Sequence, residues 1–241
     1  GSEKGCLAWG DGYSLIRCTF GVSGGTKIAL IGDSHAYHWL PAFARMAELE
    51  GLELHLLARA GCPANEVPRA SKGDHVRGCF EWIEEMTDWL ATQSDFETLV
   101  IANFSGSKFE GAGDIWEPQV EAQRGYVDAW AAMSAGSAEI VVLRDTPFIG
   151  RETWDCVVNR APEINECSVS REEVLRVVDN SAEAARSQGF QVLDMTDYFC
   201  TELECPMAVG GVRVYRDSNH MSGTYNLLLT PYLREELMGQ R

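Results

Sequence analysis

No stretch of this 241-residue chain approaches the ~18 consecutive apolar residues that a membrane-spanning helix needs, so none of it reads as a span. Basic residues are scarce: 20 Lys and Arg stand against 36 Asp and Glu, a net charge of −16. Phosphate-backbone binding depends on clustered Lys and Arg, so this balance argues against a nucleic-acid partner. It fits a soluble protein acting on a neutral or carbohydrate-like substrate, although a solvated acidic surface accounts for it as well. The C-x₂-C spacing of a structural zinc site is absent, as is the G-x-S-x-G elbow of many serine hydrolases. Internal repeats, low-complexity tracts and a clear linker are missing too. Gly1-Ser2 are set aside as an expression remnant, and a leader or membrane anchor in the natural chain is compatible with that start.

What the chain does hold is eight cysteines, at positions 6, 18, 62, 79, 156, 167, 200 and 205. The count is even and the positions fall into neighbouring twos. Many connectivities are open to eight cysteines; proximity selects Cys6–Cys18, Cys62–Cys79, Cys156–Cys167 and Cys200–Cys205. Such usage points to an oxidising, extracytoplasmic setting.

Five short apolar runs recur: KIALIG (27–32), LELHLLA (52–58), TLVIAN (98–103), EIVVLRD (139–145) and FQVLDM (190–195). Near-continuous hydrophobicity over so few residues is that of strands buried on both faces, as in a parallel sheet. Helical spacing of apolar residues marks 39–50, with Pro41 beginning or kinking it, then 79–92, 119–135, 171–188 and a final helix around 223–238. Ser170 and Glu173 form a capping box at the start of the fourth, and Gly189 ends it. The alternation predicts an α/β fold: a three-layer α/β/α sandwich around a mostly parallel five-stranded sheet. In such sheets ligands sit beyond the carboxyl ends of the strands, here just after residues 31, 58, 102 and 144. Residues 1–24 read as a peripheral N-terminal extension with a disulfide, and 25–241 as the main domain. Residues 104–118 and 146–168 read as long loops on the ligand side.

One candidate for chemistry stands at the first of those points. IALIGDSHAYHW leaves a strand through Gly32-Asp33-Ser34, which can expose a serine hydroxyl at the sheet edge with a helix-start N–H beside it. A helix-capping serine has the same local signature. Of the five histidines, His55 alternates within a strand and His75 lies in a polar loop. His220 differs, because Asp217 precedes it by three residues and a turn can bring carboxylate and imidazole into contact. His35 and His38 are three apart at a helix start, a spacing that could seat two metal ligands. No third ligand is evident, so no metal is expected, and no other cofactor.

Gly-Asp-Ser near the start and Asp-x-x-His near the end together resemble the SGNH (GDSL-type) hydrolase superfamily, over about residues 25 to 240. The resemblance implies Ser34 as nucleophile, His220 as base and Asp217 as its partner. It implies an oxyanion hole from the N–H groups of Ser34 and Gly61 and the Asn103 amide, with Asp33 and His35 lining the site. Two blocks depart from the family pattern. Asn103 lacks the usual preceding glycine and following aspartate, and the second block is reduced to Gly61-Cys62-Pro63. GDSHA, GCP, Asp145-Thr146-Pro147 and VYRDSNHMS narrow the likeness to SGNH domains fused to acyltransferase-3 membrane proteins, in their actinobacterial form.

That likeness implies a membrane domain of the same chain as acyl donor, and a glycan or glycolipid hydroxyl of the cell envelope as acceptor. The reaction expected is double displacement through an acyl-serine, usually acetyl, and loss of one oxyanion donor costs roughly 10²–10³ in rate. The domain would be extracytoplasmic and tethered to the membrane. Two further readings share the scaffold. One is a stand-alone secreted carbohydrate esterase. The other is a non-catalytic glycan-binding module, stacking sugars on Phe104, Phe109, Trp116 and Trp154.

Overall fold

The computed structural model describes residues 5–10, 14–70, 74–133, 138–160 and 163–239, without the side chains of 74 and 75. Parts of the N-terminal extension (1–4 and 11–13), the end of the expected third helix (134–135) and two residues of the expected 146–168 loop (161–162) lie outside these.

Side chains of the central strand enter two cores in turn, and that alternation builds the molecule. In β3 (Thr26–Gly32), Ile28 and Leu30 enter one apolar core while Ala29 and Ile31 enter the other. Parallel neighbours flank it: β4 (Leu52–Arg59) on one side and β5 (Phe96–Ala102) on the other, followed by β6 (Glu139–Leu143) and β7 (Gln191–Leu193). These are the five strands that the apolar runs predict. Two more join the edge of β4, making seven: β1 (Leu7–Ala8) runs parallel to it and β2 (Cys18–Gly21) antiparallel. Both come from the N-terminal segment, so that segment extends the sheet where a peripheral extension is expected. Leu7–Ala8 and Cys18–Gly21 lie outside the apolar runs, so nothing in their pattern marks them as strands.

Helices cover both faces, the layered arrangement that a doubly buried sheet requires. On the first face α1 (Ser34–Glu50) packs Trp39, Leu40, Phe43 and Met46 against Leu30, Leu54 and Leu56, with Leu233 and Leu237 of α8 (Thr230–Met238) behind. On the second, Trp82 and Met86 of α2 (Asp74–Ala91) and Tyr126 and Trp130 of α3 (Val120–Met133) meet Ile31, Leu57 and Ile101. Full burial of one such side chain is worth about 1.5–3 kcal/mol, so the two cores dominate stability.

Three helix boundaries differ from expectation. Asp33 caps α1, accepting from the His35 N–H, so the helix begins at Ser34 and runs through Pro41. The proline removes one i→i−4 bond, and the buried face of the helix outweighs that loss. The segment 171–188 is two helices, α5 (Arg171–Val174) and α6 (Asn180–Gln188), because Asp179 starts a new one by accepting from the Ser181 and Ala182 N–H groups. Ser170 does cap α5, through the Glu173 N–H. The C-terminal helix divides into α7 (Gly223–Leu228) and α8 at Leu229, with Pro231 in the first turn of α8. The expected 146–168 loop holds α4 (Gly150–Asn159) and a 3₁₀ turn, Ile164–Cys167, joined by a disulfide.

Candidate active site

The turn after β3 can be made only with glycine. Gly32 has φ +147°, and a β-carbon there would lie 1.9 Å from the Ala102 carbonyl oxygen of β5. The chain therefore hugs β5 as it leaves the sheet and delivers Asp33 and Ser34 at its carboxyl edge. Capping falls to Asp33, so the Ser34 hydroxyl is left for another partner.

That partner arrives from residues 214–222. The Asp217 carboxylate accepts from the N–H groups of Asn219 (3.0 Å) and His220 (2.7 Å), which tightens the Asp-x-x-His loop into a turn. Its oxygens also stand 2.9 and 3.0 Å from His220 Nδ1. A carboxylate only accepts, so Nδ1 carries the hydrogen and Nε2 is left as an acceptor. His220 Nε2 lies 2.8 Å from Ser34 Oγ. Burial pushes the Asp217 carboxyl up, but the hydrogen bonds from the His220 imidazole and the two N–H groups outweigh it and hold it well below the usual carboxylate range.

Around this chain of bonds, loops are pinned by buried acceptors. Asp33 takes the His35 N–H on one oxygen (2.8 Å) and the Phe104 N–H on the other (3.0 Å), tying the Ser34 turn to the segment after β5. Asn103 accepts from the Ala64 N–H through Oδ1 (3.0 Å). That bond fixes the amide orientation and leaves its buried Nδ2 without a hydrogen-bond partner among the described residues. Gly61, in the left-handed region at φ +69°, stands next to Cys62, which a disulfide to Cys79 holds in place. The Gly61 carbonyl accepts from Arg69 Nη1 (2.8 Å).

A second imidazole–carboxylate pair sits behind the first. His35 Nδ1 is 2.6 Å from Asp145 Oδ1, and both side chains are buried. Asp145 also takes the Thr146 N–H, the Ser105 N–H and the Ser105 hydroxyl, while its own N–H donates to Asp179. Burial pushes His35 down and the Asp145 carboxylate pushes it up, with the net shift upward. His38, buried beside it with ring centroids 4.6 Å apart, is held well below the ordinary imidazole range by desolvation. His35, His38 and Asp145 bring donor atoms within 4.8 Å of one another, the one such group among the described residues. Both Asp145 oxygens are engaged, so His35 and Asp145 form a hydrogen-bonded brace, whereas both ring nitrogens of the buried His38 have no hydrogen-bond partner among the described residues. Asp145 falls just past residue 144, where the sheet rule points, but its partner is 110 residues away in sequence and no local spacing reveals it.

A groove of about 460 Å³ opens over Ser34, Gly61, Asp217 and His220, walled by Trp9 and Arg216. A larger depression of about 580 Å³ between α1 and α8 shares no residue with it, and carries none of this chemistry. His55 is engaged with Glu53 (2.8 Å) away from the cluster, and His75 lies on α2 in place of a loop. Of the loop aromatics, Phe109 is buried in the second core, Phe104 packs on His35, Trp154 packs on the first core, and Trp116 lies under Arg176.

The SGNH domain family, described as fused to AT3 domains, matches residues 5–235. The chain belongs to that family. No curated protein matches it. Among solved structures, the periplasmic domain of a lipopolysaccharide acetyltransferase from Salmonella ser. Paratyphi A is similar at TM-score 0.66 and 14% identity, over 89% of this chain and 84% of that one. An aryl esterase from M. smegmatis follows at TM-score 0.53 and 11% identity, covering 89% and 99%. A carbohydrate acetylesterase from Sinorhizobium meliloti gives TM-score 0.52 at 11% identity, covering 90% and 100%. At such identities the likeness is one of fold, and this is the α/β fold of the SGNH hydrolases, an enzyme family.

Proposed function

We propose that this domain is an O-acyltransferase, acetyl being the favoured group, that passes an acyl unit through Ser34 to a hydroxyl of a cell-envelope glycan or glycolipid. The observation that carries the reading is the unbroken run of hydrogen bonds Asp217–His220–Ser34 beneath an open groove. Ser34 Oγ attacks the acyl carbonyl as His220 Nε2 takes its proton, and Asp217 stabilises the imidazolium that forms. The orphaned Asn103 Nδ2 and the N–H groups of Ser34 and Gly61 serve as donors to the oxyanion. Collapse expels the donor alcohol, which collects the proton from His220. The acceptor hydroxyl then attacks the acyl-serine, gives its proton to the same nitrogen, and Ser34 is regenerated. Water in the acceptor's place makes the domain an acetylesterase.

Four disulfides, Cys6–Cys18, Cys62–Cys79, Cys156–Cys167 and Cys200–Cys205, leave no free thiol and suit an oxidising, extracytoplasmic compartment. Among the described residues no helix is long and apolar enough to cross a membrane. The family description, an SGNH domain fused to AT3 domains, supports reading an AT3 domain as the membrane portion that supplies acyl groups from the same chain.

The test is ester turnover in the presence of a competing sugar alcohol. With ethyl acetate as donor and methyl β-D-glucopyranoside as acceptor, acetate release and acetyl-glucoside formation should both depend on Ser34, and fall to background in Ser34→Ala. Turnover that persists in Ser34→Ala contradicts the assignment.

A further inference from the structure

Among the tryptophans, Trp39, Trp82 and Trp130 are at most 1% exposed, as apolar bulk of that size should be, whereas Trp9 is 73% exposed. It is also the tryptophan that lines the groove over Ser34 and His220. Its position is built from both sides. Leu7 and Ala8 pair with Ala58 and Arg59 at the carboxyl end of β4, and the Ala60 N–H donates to the Ala8 carbonyl (3.0 Å). On the other side, Arg59 Nη2, from a buried guanidinium, donates to the Gly10 carbonyl (2.8 Å). The Cys6–Cys18 disulfide ties the segment to β2, which pairs with the same strand. An exposed indole on an anchored backbone, at the mouth of the groove, offers a flat apolar face with a polar N–H edge to whatever enters it.

The chemistry at that mouth selects the partner. The attacking hydroxyl must lie against the acyl carbon on Ser34 and give its proton to His220 Nε2, so the rest of the acceptor rests in the groove. There Trp9 and Leu7 offer an apolar face, and Arg216, half exposed, offers guanidinium donors. A pyranose matches both, with C–H groups on its face and hydroxyls on its rim. An alkyl chain would cover the half-exposed Arg216 guanidinium and offer it no hydrogen-bond acceptor, which is costly. We propose that Trp9 is the stacking platform for the sugar ring of the acceptor, and that residues 7–10 form a wall of the acceptor site. This rests on the acyl-transfer reading above.

Microscopic reversibility makes the acceptor site also the leaving-group site for sugar esters. The experiment therefore compares kcat/KM for mono-O-acetylated methyl glucosides with that for ethyl acetate, in wild type, Trp9→Ala and Trp9→Phe. The ratio of sugar ester to ethyl acetate should fall about five- to tenfold in Trp9→Ala and recover in Trp9→Phe, as expected for loss of one aromatic contact. An unchanged ratio in Trp9→Ala, with ester turnover intact, overturns the platform and leaves the acyl-transfer reading standing. A second readout does not need turnover: the Trp9 indole N–H resonance of Ser34→Ala, assigned by its loss in a Trp9→Phe background, is followed as methyl β-D-glucopyranoside and cellobiose are added. Saturable movement of that resonance supports the proposal, and its immobility with both sugars overturns it, even if the wild type hydrolyses neither ester. Inactivity of the wild type on both esters would instead count against the acyl-transfer reading.

Discussion

Two aspartate–histidine pairs lie side by side in this protein, their imidazole centroids 4.9 Å apart, and they stand in opposite surroundings. In the pair Asp217–His220 the side chains are 42% and 18% exposed, and the far ring nitrogen meets a hydroxyl at 2.8 Å. In the pair Asp145–His35 both side chains are 2% exposed, and the far ring nitrogen has no hydrogen-bond partner among the described residues. The carboxylates differ in the same sense. Asp217 spends its bonds within its own turn, while Asp145 gathers the segment after β5, its own Thr146 N–H and His35. Identical functional groups thus sit beside the groove with a hydroxyl partner in one place, as the proposed proton relay requires, and are buried as a brace in the other. Access to the groove and the identity of the third partner decide which.

Exchanging the roles in experiment gives effects of very different size. His220→Ala should lower ester turnover by about 10⁴–10⁶, because nucleophile and base act as a unit, with little change in thermal midpoint. His35→Gln should do the reverse. It removes a buried partner of Asp145 and should cost about 1–3 kcal/mol of stability, read as a drop in thermal midpoint, with a much smaller loss of turnover. Equal losses of turnover in the two variants would dissolve the distinction.

A finer effect concerns pH. Asp217 has its folded-state pKa depressed, so its carboxylate stabilises the fold above the unfolded carboxylate value of about 3.9, and that contribution is lost only as pH falls through the lower folded value. The difference in thermal midpoint between wild type and Asp217→Asn should therefore be flat through neutral pH and shrink only in strong acid. A difference that shrinks already between about pH 5 and 7 would show that the carboxylate is not held as described.

The Asp217–His220 contact is easier to read from sequence than the His35–Asp145 brace, for physical reasons. Asp217 and His220 are three residues apart, so a single turn fixes their contact, and Gly-Asp-Ser marks the strand exit that only glycine permits. His35 and Asp145 meet only because β3 and β6 end at the same sheet edge, a tertiary fact without local spacing. The five strands β3 to β7 were legible from their apolar runs. The short strands at 7–8 and 18–21 were not, since their order comes from pairing with β4 and from a disulfide. The division of 171–188 turns on one side chain, Asp179, whose carboxylate caps α6 while also taking the Asp145 N–H. Its apolar periodicity alone reads straight through.

The central claim, that Ser34 is made nucleophilic by His220 and Asp217, is tested most directly by intact mass and peptide mapping after exposure to a fluorophosphonate probe. The account predicts a single adduct, mapped to Ser34, lost in Ser34→Ala and strongly slowed in His220→Ala. A folded wild type that takes up no probe, or an adduct that survives in Ser34→Ala, would contradict it.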